Sequence, residues 1–371
     1  MADSPYTVGV IGHSGRGNYG HGLDTVWAEV PNTRVIAVAD ADPAGLNKAE
    51  QRLPGANAFS DYQKLLTETK PSLVSIAPRW PDQHQDMVLA ACQAGVKGIY
   101  LEKPMCRNLR EADAIVDACE KHHVKLAIAF QTRYSPVLQV INDLIDEGKL
   151  GEVLELRGHG KEDRRGGGED LWVLGSHVMN LIHFFGGEPT WCSSKLYQDR
   201  QLVRKEHVAP GNEGLGPLAS NKLTAMWGLH SGVTAYFRSQ KSMGSNPARF
   251  GLSIYGTEGL INMTFGYLPD VHWLPDPTWN PGKSGKQWIP ISSNGAGKPE
   301  TLKVASGLHA GNVRACEDLI RAIERDVQTE TSPYEGRTTI EMIAGVFESH
   351  RTGRTVDLPL TNRDHPLTLL E

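Results

Sequence analysis

The sequence holds no Cys-x-x-Cys pair, and its five cysteines (Cys92, Cys106, Cys119, Cys192 and Cys316) are odd in number and scattered. That usage excludes a disulfide framework and a structural zinc module, and it fits thiols that stay reduced. The chain also lacks any block of consecutive like charges. Its 38 Lys+Arg against 43 Asp+Glu leave a net charge of −5 and a pI near 6.3, so neither nucleic acid nor an anionic membrane surface is an expected partner. No apolar run approaches the roughly 20 residues of a membrane span. A basic and apolar leader is missing ahead of the first strand, which starts directly after Met1-Ala2-Asp3-Ser4-Pro5. A cytoplasmic enzyme is therefore expected, unless a leader was trimmed. Internal repeats and low-complexity tracts are absent as well.

What is present is an ordinary globular composition, 39% hydrophobic and 22% charged, over 371 residues. That length exceeds what one hydrophobic core usually supports, so two domains are expected, residues 1–130 and 131–371. Tyr6-Thr7-Val8-Gly9-Val10-Ile11 reads as a buried strand. It runs into Gly12-His13-Ser14-Gly15-Arg16-Gly17-Asn18-Tyr19-Gly20 and then a segment able to open a helix. A glycine-rich turn between a first strand and a first helix lets backbone amides approach a pyrophosphate at the helix N-terminus. Gly12 and Gly17 fit the G-x-G-x-x-G register, Ser14 stands at the middle glycine, and Gly15 is placed to take over its role. A second apolar strand, Arg34 to Ala39, ends in Asp40, at the interval expected for the acid that binds the adenosine ribose. A carboxylate there favours NAD over NADP, and Ala41 offers no arginine for the extra phosphate. Strands and helices then alternate to residue 129, which predicts a parallel sheet with helices on both faces. Within it, Gly98-Ile99-Tyr100-Leu101 leads into Glu102-Lys103-Pro104. Pro104 ends the strand and leaves Lys103 at the carboxyl edge, where ligands of open α/β sheets bind. His84 is read as a helix-start residue or a cofactor contact.

From residue 151 onward the pattern turns to polar/apolar alternation, as in Val153 to Arg157 and Ser231 to Phe237, which predicts a largely antiparallel sheet. The expected fold class is thus an α/β N-terminal Rossmann domain with a doubly wound parallel sheet, plus an α+β C-terminal domain with an open, largely antiparallel sheet. The chemical centre of the second half is Gly166-Gly167-Gly168-Glu169-Asp170-Leu171-Trp172-Val173-Leu174-Gly175-Ser176-His177-Val178-Met179-Asn180. Just ahead of it, Arg164 in a charged loop is a candidate for an anionic substrate group. Carboxylates and imidazoles occur here, but their spacing matches no standard site, and no metal is expected. Residues 267–307, with Trp273, Trp279 and Trp288, read as a long functional loop or an oligomer contact, its tryptophans serving as buried anchors or as stacking platforms for a ligand.

The glycine loop with Asp40, Ser75-Ile76-Ala77-Pro78 with His84, Glu102-Lys103-Pro104, and Phe130-Gln131-Thr132-Arg133-Tyr134 with Pro136 together resemble the Gfo/Idh/MocA oxidoreductase family. Gly256-Thr257-Glu258-Gly259 and Arg351 to Pro359 extend the likeness to the end of the chain. The resemblance implies hydride transfer with NAD, NADP being the less favoured cofactor, on sugars, polyols or their derivatives, and a homo-oligomer, dimer or tetramer. It implies cofactor contacts at Gly12, Ser14, Gly15, Arg16, Gly17, Asp40, Ala77, Pro78, His84, Glu102 and Lys103. Substrate contacts are implied at Lys103, Arg164, Trp172, His177 and Asn180. Catalysis falls to Lys103, His177 and Asp170. The family carries an aspartate four residues before the histidine, on one helix face, and Val173 stands in its place. Three readings stay open: Lys103 and His177 suffice; Asp170 or Glu169 swings in; or a retained NAD oxidises a sugar transiently so that its substituent is eliminated, as in glycosidase-like relatives. A protein that binds NAD or sugar without catalysis is the alternative outside enzymes.

Overall fold

The computed structural model describes residues 6–304 and 307–371, in two compact units. The first contains residues up to 131, then 212–216 and 308–337; the second contains 132–211, 217–307 and 338–371.

In the first unit, β1 (Tyr6–Ile11), β2 (Thr33–Ala39), β3 (Asn57–Phe59), β4 (Leu73–Ile76), β5 (Gly98–Leu101) and β6 (Lys125–Ile128) form a six-stranded sheet in the order β3-β2-β1-β4-β5-β6. All its pairings are parallel. β4 and β5 are buried along their whole length, as strands covered on both faces must be. The helices α1 (Pro43–Arg52), α2 (Tyr62–Thr69), α3 (His84–Gln93) and α4 (Leu109–His122) connect them. Asp42, Asp61 and Asn108 cap α1, α2 and α4 by accepting from Gly45, Gln63 and Glu111 N–H groups at 2.6, 2.9 and 2.9 Å.

Two expectations are corrected here. The segment after Gly20 forms no α-helix: turns run to Thr25 and a single 3-10 turn follows at Val26–Ala28. Gly15, Gly17, Gly20 and Gly22 and also Asn18 have positive φ, which a right-handed helix cannot accommodate. The division of the chain is also less simple than a cut at 130/131. The helix His309–Arg325 belongs to the first unit, because the side chains of Leu319 and Ile323 close over Gly98 of β5. The chain thus returns late in sequence to cover the strand that delivers Lys103.

The second unit holds α5 (Pro136–Asp146), β7 (Val153–His159), α6 (Gly168–Val173) and α7 (Gly175–Gly186), then strands β8 (Pro189–Gln198), β9 (Gln201–Leu202), β10 (Lys222–Leu229), β11 (Thr234–Gln240), β12 (Gly251–Gly256), β13 (Gly259–Met263), β14 (Val271–Leu274), β15 (Ile289–Ser292), β16 (Gly295–Ala296) and β17 (Val356–Asp357). They build an eleven-stranded sheet in the order β16-β15-β14-β13-β12-β7-β11-β10-β8-β17, with β9 paired to β8. Only β7 and β11 run parallel; every other pairing is antiparallel. β11 alternates strictly, Ala235 and Phe237 inward, Tyr236 and Arg238 outward. Gly158 lets α7 lie close on the inner face, since a Cβ there would stand 2.3 Å from Val178. The described residues of the stretch 267–307, which leave out 305–306, are not one irregular loop. They contribute β14, β15 and β16, strands too short to register as alternation in the sequence.

Trp172, Phe347 and His365 form an aromatic cluster in this unit, with the His365 ring 6.2 Å from Trp172 and 5.6 Å from Phe347. Burial lowers the His365 pKa from 6.5 to about 4. The unfolded chain takes up this proton near pH 6.5 and the folded chain near pH 4. Its stabilisation is therefore complete above 6.5 and lost as pH falls toward 4, on the order of 3 kcal/mol for this group. Denaturant unfolding followed from neutral pH down through that window should show the loss, and His365→Phe should flatten the slope. An identical slope in the variant would refute the assignment.

Candidate active site

The glycine loop of the first unit is closed on itself and on Asp40. His13 and Asn18 form a bridge, with His13 N–H donating to the Asn18 carbonyl at 3.1 Å and Asn18 N–H to the His13 carbonyl at 3.0 Å. Gly15 N–H donates to Asn18 Oδ1 at 3.1 Å. The buried Asp40 carboxylate accepts from Ser14 N–H at 3.0 Å, from Ser14 Oγ at 2.8 Å and from Asp42 N–H at 3.0 Å. Gly45 is needed at this crossing, because a Cβ there would meet Ser14 Oγ at 1.9 Å. The Tyr19 hydroxyl is raised in pKa by burial and by the Asp40 charge. Beside the loop lies a cavity of about 410 Å³ whose lining includes Ser14, Tyr19, Lys48 and Arg52. Arg52 stacks over Tyr19 at 4.6 Å and pairs with Asp24 at 2.8 Å.

A nucleotide fits this corner. The cavity is polar, with Lys48 and the Arg52–Asp24 pair on its wall, Asp40 braces its Ser14 edge, and no atom lies within 4 Å of where a side chain at Gly15 would begin. The fit differs from the expected one, since no helix N-terminus backs the loop. Arg16 is the charge the loop itself brings; it pairs with Asp82 and lies 5.0 Å over Trp80. Gly17 is pressed against the chain after β4, where a Cβ would stand 2.3 Å from Arg79 N. The loop and the Pro78-Arg79 segment are thereby packed directly together.

At the end of β5, Glu102 is fully buried and Lys103 is 5% exposed. His21 Nδ1 bonds one oxygen of Glu102, and Lys103 N–H donates to the other at 2.6 Å. Burial alone would raise the Glu102 pKa; the His21 bond and charge, with the Lys103 ammonium and N–H, hold it below the usual value, so Glu102 is a carboxylate. His21 is fixed from its other side: its carbonyl accepts from Asn312 Nδ2 at 2.9 Å, and Asn312 Oδ1 accepts from the Tyr100 hydroxyl at 2.6 Å. His84 begins α3 and is completely buried. Its Nε2 lies 2.8 Å from the Pro78 carbonyl and its Nδ1 3.0 Å from that of Pro104. Burial lowers its pKa, opposed by the carbonyls that face both ring nitrogens. His84 therefore ties the exit of β4 to the exit of β5, and both its ring nitrogens are engaged by the protein rather than directed at a ligand.

In the second unit, α6 ends at Val173 and α7 begins at Gly175, with Leu174 between them at φ −113° and ψ −36°. Val173 thus closes one helix and His177 lies in the first turn of the next, where a single helix carrying both was expected. The break occurs where Gly175 lets the chain pass close to Phe237, 3.2 Å from where a Cβ would lie. His177 is half-buried on the first turn of α7, and Asn180, buried, follows three positions on. Two other candidates turn inward. Asp170 is fully buried and accepts from Ser239 Oγ at 2.5 Å and from the N–H groups of Glu162 and Lys161 at 3.0 and 3.3 Å. Burial raises its pKa. Its work is to anchor the loop ahead of α6, and a carboxylate so held is not free to swing toward a substrate. Trp172 is 1% exposed within the Phe347–His365 cluster, so it packs the core rather than a ligand. Arg164 is exposed. Trp279 is taken up structurally, donating from Nε1 to the Gly256 carbonyl at 2.8 Å. Among the described residues, no cluster of three or more His, Cys, Asp or Glu is arranged to hold a metal ion.

Two contributors escaped the sequence reading. His21 is the partner of Glu102, and its only signal was a histidine directly after the loop's last glycine. Phe265 lies 6.1 Å from His177 and left no periodic signal, because it sits in a connection just past β13.

Two family models match successive stretches of the chain. The profile described as the Gfo/Idh/MocA oxidoreductase family, NAD-binding Rossmann fold, matches residues 6–130, and the family's C-terminal alpha/beta domain matches residues 142–358. D-apiose dehydrogenase of Paraburkholderia graminis is 23% identical, over 92% of this chain and 87% of that protein. Levoglucosan dehydrogenase of Pseudarthrobacter phenanthrenivorans is 24% identical, over 87% of this chain and 89% of that protein. Among solved structures, levoglucosan dehydrogenase in complex with NADH and L-sorbose superposes with a TM-score of 0.77 at 19% identity, covering 96% of this chain and 99% of that one.

Because Asp40 both braces Ser14 and brings negative charge to the nucleotide corner, Asp40→Ala should weaken NAD binding by about tenfold or more and NADP binding by less, as read by calorimetric titration. Equal losses for the two cofactors would leave Asp40 as a brace alone.

Proposed function

Because the chain belongs to the Gfo/Idh/MocA oxidoreductase family, whose N-terminal module is an NAD-binding Rossmann fold, we propose that it is a dehydrogenase acting on a hydroxyl-bearing carbon of a sugar, polyol or sugar derivative. The observation that carries the proposal is Lys103, 5% exposed just past the carboxyl end of β5, next to the sheet's edge strand, and flanked by the ionised Glu102. A lysine is costly to bury, and the carboxyl edge of such a sheet is where its ligands collect. The activities named for the D-apiose and levoglucosan dehydrogenases support the substrate class.

When bound, NAD supplies the hydride acceptor. The chain's part is charge and proton. An alcohol that gives up hydride from carbon also gives up the proton on its oxygen. The Lys103 ammonium stabilises the alkoxide character developing there, an effect that a dry site strengthens. His177 is the proposed base, since imidazole titrates near neutrality, and Val173 offers no carboxylate to share that work. Glu102 holds the backbone of Lys103 in place.

The outward face of the second unit's sheet supports a homo-oligomer: Tyr197, Met226, Tyr236 and Tyr255 all stand on it, Met226 37% exposed. The five cysteines, all free and buried, fit a reducing compartment, and the cytoplasm is the proposed location.

Lys103→Ala and His177→Ala should each lower turnover by on the order of a hundredfold or more while NAD affinity stays within a few fold. NADH formation on a panel of sugars and polyols checks turnover, and titration checks binding. Near-normal turnover in both variants would sink the assignment, and sugar release without net NADH would replace it with redox-assisted cleavage.

A further inference from the structure

Phe265 is built into place beside His177 more firmly than a connecting residue needs to be. Its ring centroid lies 6.1 Å from that of His177 at an interplanar angle of 52°, and the Phe250 ring stacks behind it at 4.3 Å and 21°. The connection that carries it is closed at its base, where Thr264 N–H donates to the Asp270 carbonyl at 3.0 Å and Asp270 N–H to Thr264 Oγ1 at 2.8 Å. It is held at the next residue too, because Gly266 N–H donates to Thr132 Oγ1 at 3.0 Å. Gly266 has φ +134°, and no atom lies within 4 Å of where its side chain would start, so the chain beside Phe265 borders open space. Phe265 remains half-buried despite the ring at its back.

From this we infer that Phe265 is a specificity-determining residue, an apolar wall against which the substrate lays the C–H face of a ring, so that the substrates are cyclic secondary alcohols rather than open-chain polyols. The inference rests on His177 serving the reaction proposed above. A flat aromatic face next to a proton acceptor gains from removing C–H surface from water and gains little from an extended chain that exposes hydroxyls on every side. The Phe250 backing and the two tethers hold the wall in position before a ligand arrives, so little ordering cost falls on binding.

The test uses the full-length protein, with NADH formation measured on three rings (levoglucosan, myo-inositol and D-glucose) and two open chains (D-sorbitol and glycerol). The wild type should favour the rings. Phe265→Ala should reduce the ratio of kcat/KM for the best ring to that for the best open chain by about tenfold or more, chiefly through KM, and Phe265→Leu should fall between the two. Titration with NAD and thermal melting of both variants separate a lost wall from a misfolded chain. An unchanged ratio in folded variants, or a wild type that uses only open chains, would overturn the inference and leave the dehydrogenase reading intact. NADH from none of the five would overturn both.

Discussion

The first unit's site depends on the burial of one carboxylate. Glu102 has no exposure, and an ion taken out of water costs several kcal/mol unless its partners replace the lost hydration. It therefore fixes what surrounds it: His21 on one oxygen, and the backbone N–H of Lys103 on the other. The glycine loop is bound to the exit of β5 by this pair. A side chain at Gly20 would run into Glu102 Cγ at 2.6 Å, so the loop must be bare where it crosses. The bonds from Tyr100 through Asn312 to His21 extend the arrangement to the helix His309–Arg325. Lys103 is placed by this lattice through its backbone N–H.

The second unit is organised around a different buried acid. Asp170 gathers Ser239 of β11 and the backbone of residues 161 and 162, which sets the loop before α6 and with it the start of α7. Glu162, held in that loop, then receives Arg238 at 3.1 Å and Arg249 at 2.7 Å. The residue that looked like a spare catalytic carboxylate is thus the fastening of the loop ahead of the helix that carries His177. The same chemistry makes it attractive in sequence and unavailable in the fold: a carboxylate followed by a helix either reaches a ligand or satisfies backbone N–H groups, and here it does the second.

The alternation of strands and helices to residue 129 was legible because a parallel sheet demands continuous apolar runs and caps such as Asp42, Asp61 and Asn108 mark the helix starts. Asp40 and Lys103 were legible for the same reason, since a strand end is a fixed place in this fold. The glycine loop was read correctly as a turn and wrongly as a helix start, because positive φ at four glycines is a property of the folded path and not of composition. Trp172 and His84 are polar-tipped or aromatic residues whose burial depends on neighbours more than a hundred residues away in one case and twenty in the other, at Phe347 and Pro104. His21 and Phe265 act through contacts of that kind as well, and a linear pattern does not encode them.

Hydride transfer from substrate carbon to NAD is the central claim, and isotope transfer tests it most directly. The wild-type protein is incubated with NAD and a sugar or polyol deuterated at its carbinol carbons, and the nucleotide is analysed by mass spectrometry and proton NMR. One deuterium at C4 of the nicotinamide for each substrate oxidised is the predicted result. Substrate consumed with no deuterium in the nucleotide pool and no net NADH would contradict it.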